Sequence, residues 1–475
     1  MKVVLFGTGH YYQQYKECFG KVEIMGLLDN NTDKQGSLID GHIVYAPEQV
    51  ISLSFDQIWL LSFDSADMRR QLLSLGIDEK LIYEVWEIGH ALGENLVVPN
   101  GELYLPDGSV RVALPKDVSD KVVLLTPNLM LNGAEIALVQ LVRVMLNSGY
   151  KPLVSSLRDG PLREELMDLN VPVILMGVAS HDMSLTQLPY LMGADAYIFN
   201  TIEMYLIMRK QDKHIPTAWW LHDSDMVYQE THIIDGLLSK IDLENVEIKV
   251  VSSVAADAFF YHYGEKIPVT EMPFGLQDWA TEYELKKRCK DHLFTFAVVG
   301  NISMLKAQND FINAVKKLPE RMRERCRFCI IGSERNRELI TALKEQAECM
   351  PSIQFMGEMG RSELLSFYAE EMDVLVCPSR CDTLPIVTVE AMMFAHPVIA
   401  SEGVGTASML VDAHAGLSVP VGDDEGLSKA MQWMYENPCE LELMGKRARN
   451  LFEEKFTMEI FQEQVELFMK NLLGR

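Results

Sequence analysis

A chain of 475 residues, 48% of them hydrophobic, is too long for one core and apolar enough to build two to four. A formal net charge of −25 excludes nucleic acid as the main partner and disfavours an anionic membrane, because both need clustered Lys and Arg. No run of about 18 apolar residues predicts a spanning helix, the opening Met1–Phe6 lacks the features of a secretory signal, and the eight Cys are scattered as in a reducing compartment. The expected location is therefore cytoplasmic.

Short apolar runs alternate with longer helical patterns from end to end, which predicts α/β domains with parallel sheets. In the first unit, 1–95, Val3–Phe6 reads as a buried strand followed by Gly7-Thr8-Gly9, and a second strand, Val22–Leu28, ends at Asp29. Gly-x-Gly after a first strand with an acid about 20 residues on is part of a dinucleotide fingerprint. Tyr12 occupies the place of the third glycine, where helix and strand need close approach. The unit, with its stretches "GLLDNN" and "DGHIVYAPEQV", resembles Rossmann-like domains found beside bacterial sugar-modifying enzymes, which fits a structural role as well as a nucleotide-binding one.

Residues 96–118 read as a connector, with turn chemistry at Pro99-Asn100-Gly101 and Pro106-Asp107-Gly108 and only short strand-like runs, as in a hairpin linking two units. A new first strand at Lys121–Leu125 opens a second doubly wound unit, 119–285, with strands expected at 152–157, 171–176, 196–200, 217–221 and 248–252. The charged stretch Glu282–His292 is a candidate hinge. A third unit, 286–455, has strands expected at 293–299, 328–331, 353–356, 374–377 and 397–400, and an amphipathic helix, Met458–Leu473, closes the chain within 456–475. Lys316, Lys317, Arg321, Arg323, Arg325 and Arg327 form a basic patch, read as a solvated surface, with a peripheral membrane or acidic-acceptor contact as the sharper alternative. Cys326 and Cys329 form a CxxC without a second pair, so buried strand thiols are expected there and not a zinc site.

Ligands of open α/β sheets sit at the carboxyl ends of strands, and the third unit is punctuated there. After 296–299 come Gly300, Asn301 and then Lys306, placed to neutralise charge on a departing diphosphate. Gly332-Ser333-Glu334 follows the next strand and Gly357 the one after. In "PSRCDTLPIVTVEAM", Asp382 or Thr383 is expected to cap a helix with Pro385 in its first turn. The N–H groups of Leu384–Val387 then face outward at the positive end of the helix, suited to a pyrophosphate. Asp382 is placed to accept bonds from sugar hydroxyls and Glu390 from a ribose. An ordinary capped helix and a surface lysine account for the same residues taken singly.

Arriving in this order, "GNISMLKAQNDFINAV", "IIGSE", "IQFMG" and the paired acids resemble the donor-binding half of family 4 glycosyltransferases, retaining enzymes of the two-lobed GT-B fold. The resemblance covers about 120–473. It implies that Lys306 is the phosphate-binding lysine and that Asp382 and Glu390 are the E-x7-E pair, with Asp for the first Glu. Gly300, Asn301, Gly332, Ser333, Glu334, Gly357 and the run Thr383, Leu384, Pro385, Ile386, Val387 and Thr388 then line the donor. Asn301 stands where the family often has an arginine. "LMLNGAEIALVQL" resembles the family's Gly-Gly-Ala-Glu loop, which brings Gly133, and Asn132 in place of a glycine, to the acceptor side. "TAWWLHDSD" resembles the segment presenting a histidine to the transferred sugar, His222. Asp223-Ser224-Asp225 spells DxD, better explained by helix capping than by a metal.

The implied function is transfer of a sugar, with retention, from a nucleotide-diphosphate sugar, UDP-linked in the first instance, to a glycan, lipid-linked or protein acceptor. No metal and no further cofactor is expected. A nucleotide-sugar epimerase and a non-catalytic partner of another transferase are the alternatives, and an NAD-dependent oxidoreductase is disfavoured by the incomplete fingerprint.

Overall fold

The computed structural model describes residues 1–9, 12–13, 16, 19, 22–61, 66–84, 101–176, 191, 193–208, 211, 213–230, 238, 241–283, 293–333 and 336–474. The candidate hinge lies mostly outside them, as does Glu334.

The first sheet contains β1 (Lys2–Phe6), β2 (Glu23–Leu28), β3 (Leu38–Ile39), β4 (His42–Tyr45), β5 (Gln57–Leu60) and β6 (Ile82–Glu84), in the order β3-β4-β2-β1-β5-β6. All neighbours are parallel except β3 and β4. Asp29, at the end of β2, accepts from the Thr8 N–H at 3.2 Å and pairs with Lys34 at 3.1 Å, so its carboxylate is already occupied by its own chain. Tyr12 is buried where a third glycine would sit.

The second sheet comprises β7 (Glu102–Tyr104), β8 (Val110–Val112), β9 (Val122–Thr126), β10 (Pro152–Ser156), β11 (Val173–Leu175), β12 (Ala196–Asn200), β13 (Thr217–Leu221), β14 (Val246–Val250) and β15 (Thr270–Glu271). Their order is β15-β14-β13-β12-β9-β10-β11-β7-β8. Every residue of β9, β10, β12 and β13 is buried. A parallel sheet covered on both faces gives such unbroken apolar runs in the sequence. β7 pairs antiparallel with β11, and β8 with β7. The stretch read as a connector thus supplies a hairpin on the edge of this sheet, a pairing that its short strands could not announce.

The third sheet, β16 (Phe294–Val299), β17 (Cys326–Ile331), β18 (Ile353–Gly357), β19 (Val374–Cys377), β20 (Val398–Ser401) and β21 (Gly416–Val419), is wholly parallel and ordered β18-β17-β16-β19-β20-β21. In both larger sheets the chain builds outward one way and then resumes on the other side of its first strand. The crevice at that reversal lies between β9 and β12 in one sheet and between β16 and β19 in the other, the place where such sheets hold ligands. Cys326 and Cys329 are buried on β17 and belong to separate cores.

The helices that position the crevices are α1 (Gly133–Asn147), α2 (Gln308–Lys317), α3 (Arg361–Glu370), α4 (Ile386–Met393), α5 (Pro438–Lys455) and α6 (Met458–Leu473). The closing helix does not stay with the third sheet. Phe461 of α6 stacks on Trp220 of β13, with ring centroids 6.0 Å apart. Lys249 of β14 lies 5.1 Å over the Phe468 ring, and Ser148 donates to Glu466 at 3.1 Å. From α5, Arg449 pairs with Asp278 beyond the second sheet. α5 and α6 therefore clasp the two lobes.

Truncating the fully buried Phe461 to Ala should leave a cavity at this clasp and cost about 3 kcal/mol. The check is a lower urea midpoint for the transition followed by tryptophan fluorescence.

Candidate active site

The carboxyl ends of β16, β17 and β18 converge on bare backbone. The Gly332 N–H donates to the Gly357 carbonyl at 2.8 Å and the Gly300 N–H to the Ile331 carbonyl at 2.9 Å. Gly332 has φ +156°, and a methyl group there would stand 1.9 Å from the Gly300 carbonyl oxygen, so only glycine lets these strand ends approach. Ser333 is buried and its carbonyl accepts from the Ile302 N–H at 3.4 Å; Asn301 is exposed, its carbonyl bonded to Gln308.

Lys306, on the loop from β16 into α2, and Asp382, on the loop from β19 into α4, form an ion pair across the reversal between β16 and β19. Burial opposes the charge on Lys306, but the Asp382 carboxylate beside it outweighs that penalty and holds the ammonium above its ordinary value. Sequence separation of 76 residues gave no hint of this contact.

The capping expectation requires correction. Pro385 itself is the N-cap of α4, with φ −62° and ψ 123° and no side-chain cap. Asp382 is committed to Lys306, and the Thr383 hydroxyl donates to the His222 carbonyl at 2.5 Å. Thr388 closes the first turn instead, its hydroxyl donating to the Pro385 carbonyl at 2.8 Å. The Asp382–Thr383 backbone is fixed from behind. The Asp382 N–H donates to the Gly403 carbonyl at 2.9 Å, and Gly405 donates to the Asp382 carbonyl at 2.8 Å. A methyl on Gly405 would meet the Thr383 carbonyl at 1.7 Å. Ile386 and Val387 are half-buried at the start of the helix, and Leu384 is buried beside them.

Glu390 is buried on α4, where Arg361 forms an ion pair with it and the Tyr368 hydroxyl donates to it at 3.0 Å. Burial, with the Glu390 charge next to it, pushes the Tyr368 hydroxyl well up. Sequence reasoning missed Arg361 and Tyr368, both on α3. The available signal was an arginine opening a helix directly after the Gly357 turn. Arg380, also missed, bonds Asp310 at 3.1 Å beside the same loop.

The Thr383–His222 bond joins the third sheet's loop to the end of β13, so the two crevices abut. The His222 ring packs on Trp220 with centroids 4.3 Å apart, and its Nε2 has no partner among the described residues. Burial pushes the imidazole down to about 3, so it is neutral at working pH. Gly133, the first residue of α1, faces open space, with Asn132 as its N-cap and Met130 and Leu131 exposed beside it. The DxD triplet divides: Asp223 accepts from the Ile202 N–H at 2.6 Å, while Asp225 pairs with His262 at 2.7 Å. No group of three metal-ligating side chains is found among the described residues. In the basic patch Lys317 pairs with Asp424 and Arg327 with Glu371 at 2.6 Å, which favours the solvated-surface reading. No described helix is long and apolar enough to cross a membrane.

Residues 280–451 match the family described as Glycosyl transferases group 1, and residues 1–83 match the family C2185-like, N-terminal. The O-antigen chain mannosyltransferase C of Escherichia coli is 26% identical over 229 residues, 46% of this chain and 58% of that protein. The D-rhamnosyltransferase WbpZ of Pseudomonas aeruginosa is 34% identical over 109 residues, 22% of this chain and 28% of its own. The chain thus spans less than two thirds of these relatives. Among solved structures, HepE of Anabaena in complex with UDP superposes with a TM-score of 0.59 at 17% identity, covering 74% of this chain and 100% of that one. WaaG, a glycosyltransferase involved in lipopolysaccharide biosynthesis, superposes with a TM-score of 0.54 at 16% identity, covering 73% and 99%. The two larger sheets form the GT-B fold.

Glu135, in the first turn of α1, is pushed up to about 7 by burial, with Glu203 adding repulsion. An acid raised in this way binds its proton more tightly folded than unfolded. Its stabilising contribution is greatest below its ordinary 4.5 and is lost as pH rises through about 7. Glu135→Gln removes that loss, so the variant should gain on the wild type by about 2 kcal/mol between pH 5 and pH 8. Paired thermal melts at the two pH values measure the difference.

Proposed function

We propose that this chain is a retaining glycosyltransferase that moves a hexose from a UDP-sugar to a hydroxyl of a glycan, lipid-linked or protein acceptor, working in the cytoplasm without a metal. The observation that carries this reading is the Lys306–Asp382 pair across the sheet reversal, beside three strand ends stripped of side chains. A diphosphate entering there takes Lys306 from Asp382. The lysine then neutralises charge that grows on the phosphate as the glycosidic bond breaks, and a fixed cation stabilises that transition state more than the ground state.

Freed of its lysine, Asp382 accepts bonds from hydroxyls of the transferred sugar. The turn Thr383–Thr388 offers backbone N–H groups and the positive end of α4 to the phosphates. Asn301 brings no charge, so Arg361 takes up part of the missing arginine's work as it turns from Glu390, leaving Glu390 for the ribose. His222, neutral, gives or accepts a bond through its unpartnered Nε2 at the sugar. The sugar C1–O bond to phosphate breaks, the C1–O bond to the acceptor forms on the same face, and the acceptor proton passes to the departing phosphate oxygen. The first unit serves as a structural Rossmann-like domain, since Asp29 is engaged by Thr8 and Lys34.

The known relatives' names and the UDP in HepE support this reading. UDP should raise the melting temperature of the chain, since it binds only the native state, and UDP-glucose should be slowly hydrolysed without acceptor. Lys306→Met should cut turnover about 100-fold or more, while Glu390→Ala should weaken UDP binding. Release of a free sugar epimer would identify an epimerase, binding without turnover a non-catalytic partner, and no UDP-dependent shift would sink the proposal.

A further inference from the structure

Lys306 is followed by a strained stretch of backbone. Ala307, the N-cap of α2, has φ +53° and ψ 42°, in the left-handed region, and is fully buried. A side chain disfavours that conformation, which persists only where the surroundings hold it. Gln308 laces the loop to itself: its Oε1 accepts from the Ser303 N–H at 3.3 Å, and its Nε2 donates to the Asn301 carbonyl at 3.1 Å. Those bonds travel with the loop. They do not fix where the Lys306 ammonium stands against the loop from β19 into α4.

Contacts between the two loops do fix it. One is the Lys306–Asp382 pair itself. A second is the Arg380 N–H, which donates to the Leu305 carbonyl at 2.8 Å, one residue before Lys306. The third is the Arg380 guanidinium, which reaches the first turn of α2 and donates through Nη2 to Asp310 Oδ1 at 3.1 Å. Asn309 Nδ2 holds the same oxygen at 2.7 Å. Arg380 is itself hemmed in by glycines after β20 and β21. A methyl on Gly403 would stand 2.2 Å from the Arg380 carbonyl oxygen, and one on Gly422 3.4 Å from Nη1. Asp310 is buried; burial raises its carboxyl, Arg380 opposes that rise, and Asp424 adds to it by repulsion.

We infer that Arg380 and Asp310 form a positioning bridge for Lys306, which keeps the start of α2 and the left-handed turn at Ala307 in register with the Asp382 loop. Arg380 stands two residues before Asp382, and Asp310 four residues after Lys306. The bridge stays closed when the Lys306–Asp382 pair opens, so the ammonium changes partners without losing its place. Calling the new partner a donor diphosphate rests on the transferase reading; the bridge itself does not. The Arg380 side chain is 37% exposed, and a pair so open to water adds little to global stability. Its effect is local, on the lysine.

The test uses the full chain with Arg380→Met, Arg380→Lys, Asp310→Asn, Lys306→Met and the double variant Arg380→Met/Lys306→Met. Without ligand, acetylation of the Lys306 amine by acetic anhydride, resolved by peptide mass spectrometry, should run severalfold faster in Arg380→Met and Asp310→Asn than in the wild type. Release of UDP from UDP-glucose should fall about tenfold in the same two variants. Arg380→Lys keeps a cation for Asp310 and should retain most of both properties. On the Lys306→Met background, Arg380→Met should remove nothing further, because a residue acting through the lysine has no effect once the lysine is gone. Unchanged labelling in the folded variants, or a loss of turnover that adds in full to that of Lys306→Met, would overturn the inference. Asp310→Asn, close in shape to the wild type, decides the matter if the methionine variant does not fold. Should the wild type neither bind UDP nor turn over UDP-glucose, the transferase reading falls, and the labelling alone decides for or against the bridge.

Discussion

A lysine and a carboxylate drawn largely out of water into a crevice between diverging strands need each other. Lys306 and Asp382 are in this position. Removing two charges from water is costly, and their attraction offsets that cost only while the geometry holds. The loops that carry them are accordingly tied down, Asp382 by Gly403 and Gly405 and the Lys306 loop by the Leu305 carbonyl, which accepts from the Arg380 N–H at 2.8 Å. The pair sets a cation and a carboxylate against each other at the crevice.

The same topology is used twice with opposite electrostatics. In the third sheet the reversal presents Lys306, bare glycine backbone and the start of α4, which suits an anion. In the second it presents Glu135, Glu203 and Asp223, whose carboxyl groups burial shifts toward the protonated form. Thr383 bonded to the His222 carbonyl is where the two meet. The two crevices are thereby brought to one seam, and α5 and α6, crossing back onto the second lobe, hold that seam together.

Much of the fold was legible because the cores of parallel sheets write themselves as apolar runs. The runs at 121–125, 196–200 and 217–221 became β9, β12 and β13 with little change of bounds. The hairpin β7–β8 was legible in its turn chemistry, but its place in the second sheet was not: three-residue strands follow no periodicity, and their pairing with β11 is set by distant packing. In the candidate site, Lys306 and Asp382 were singled out for their places after strands, but the cap of α4 was misassigned. A local rule gave Thr383 to its own helix, and a contact across the lobes took it for His222 instead. Arg361 and Tyr368 escaped notice because nothing near them in the sequence refers to Glu390.

By itself the sequence determined what depends on neighbours along the chain: apolar strands, the glycines that end them, and an acid or a lysine at the following turn. Hydrophobic burial and backbone sterics act at that range, so pattern suffices. The tertiary structure alone decided which of those turns face one another, which side chains are already engaged, and how burial changes the charge they carry. Those outcomes depend on strand order and on the dielectric around each group, and both come into being only when distant segments pack.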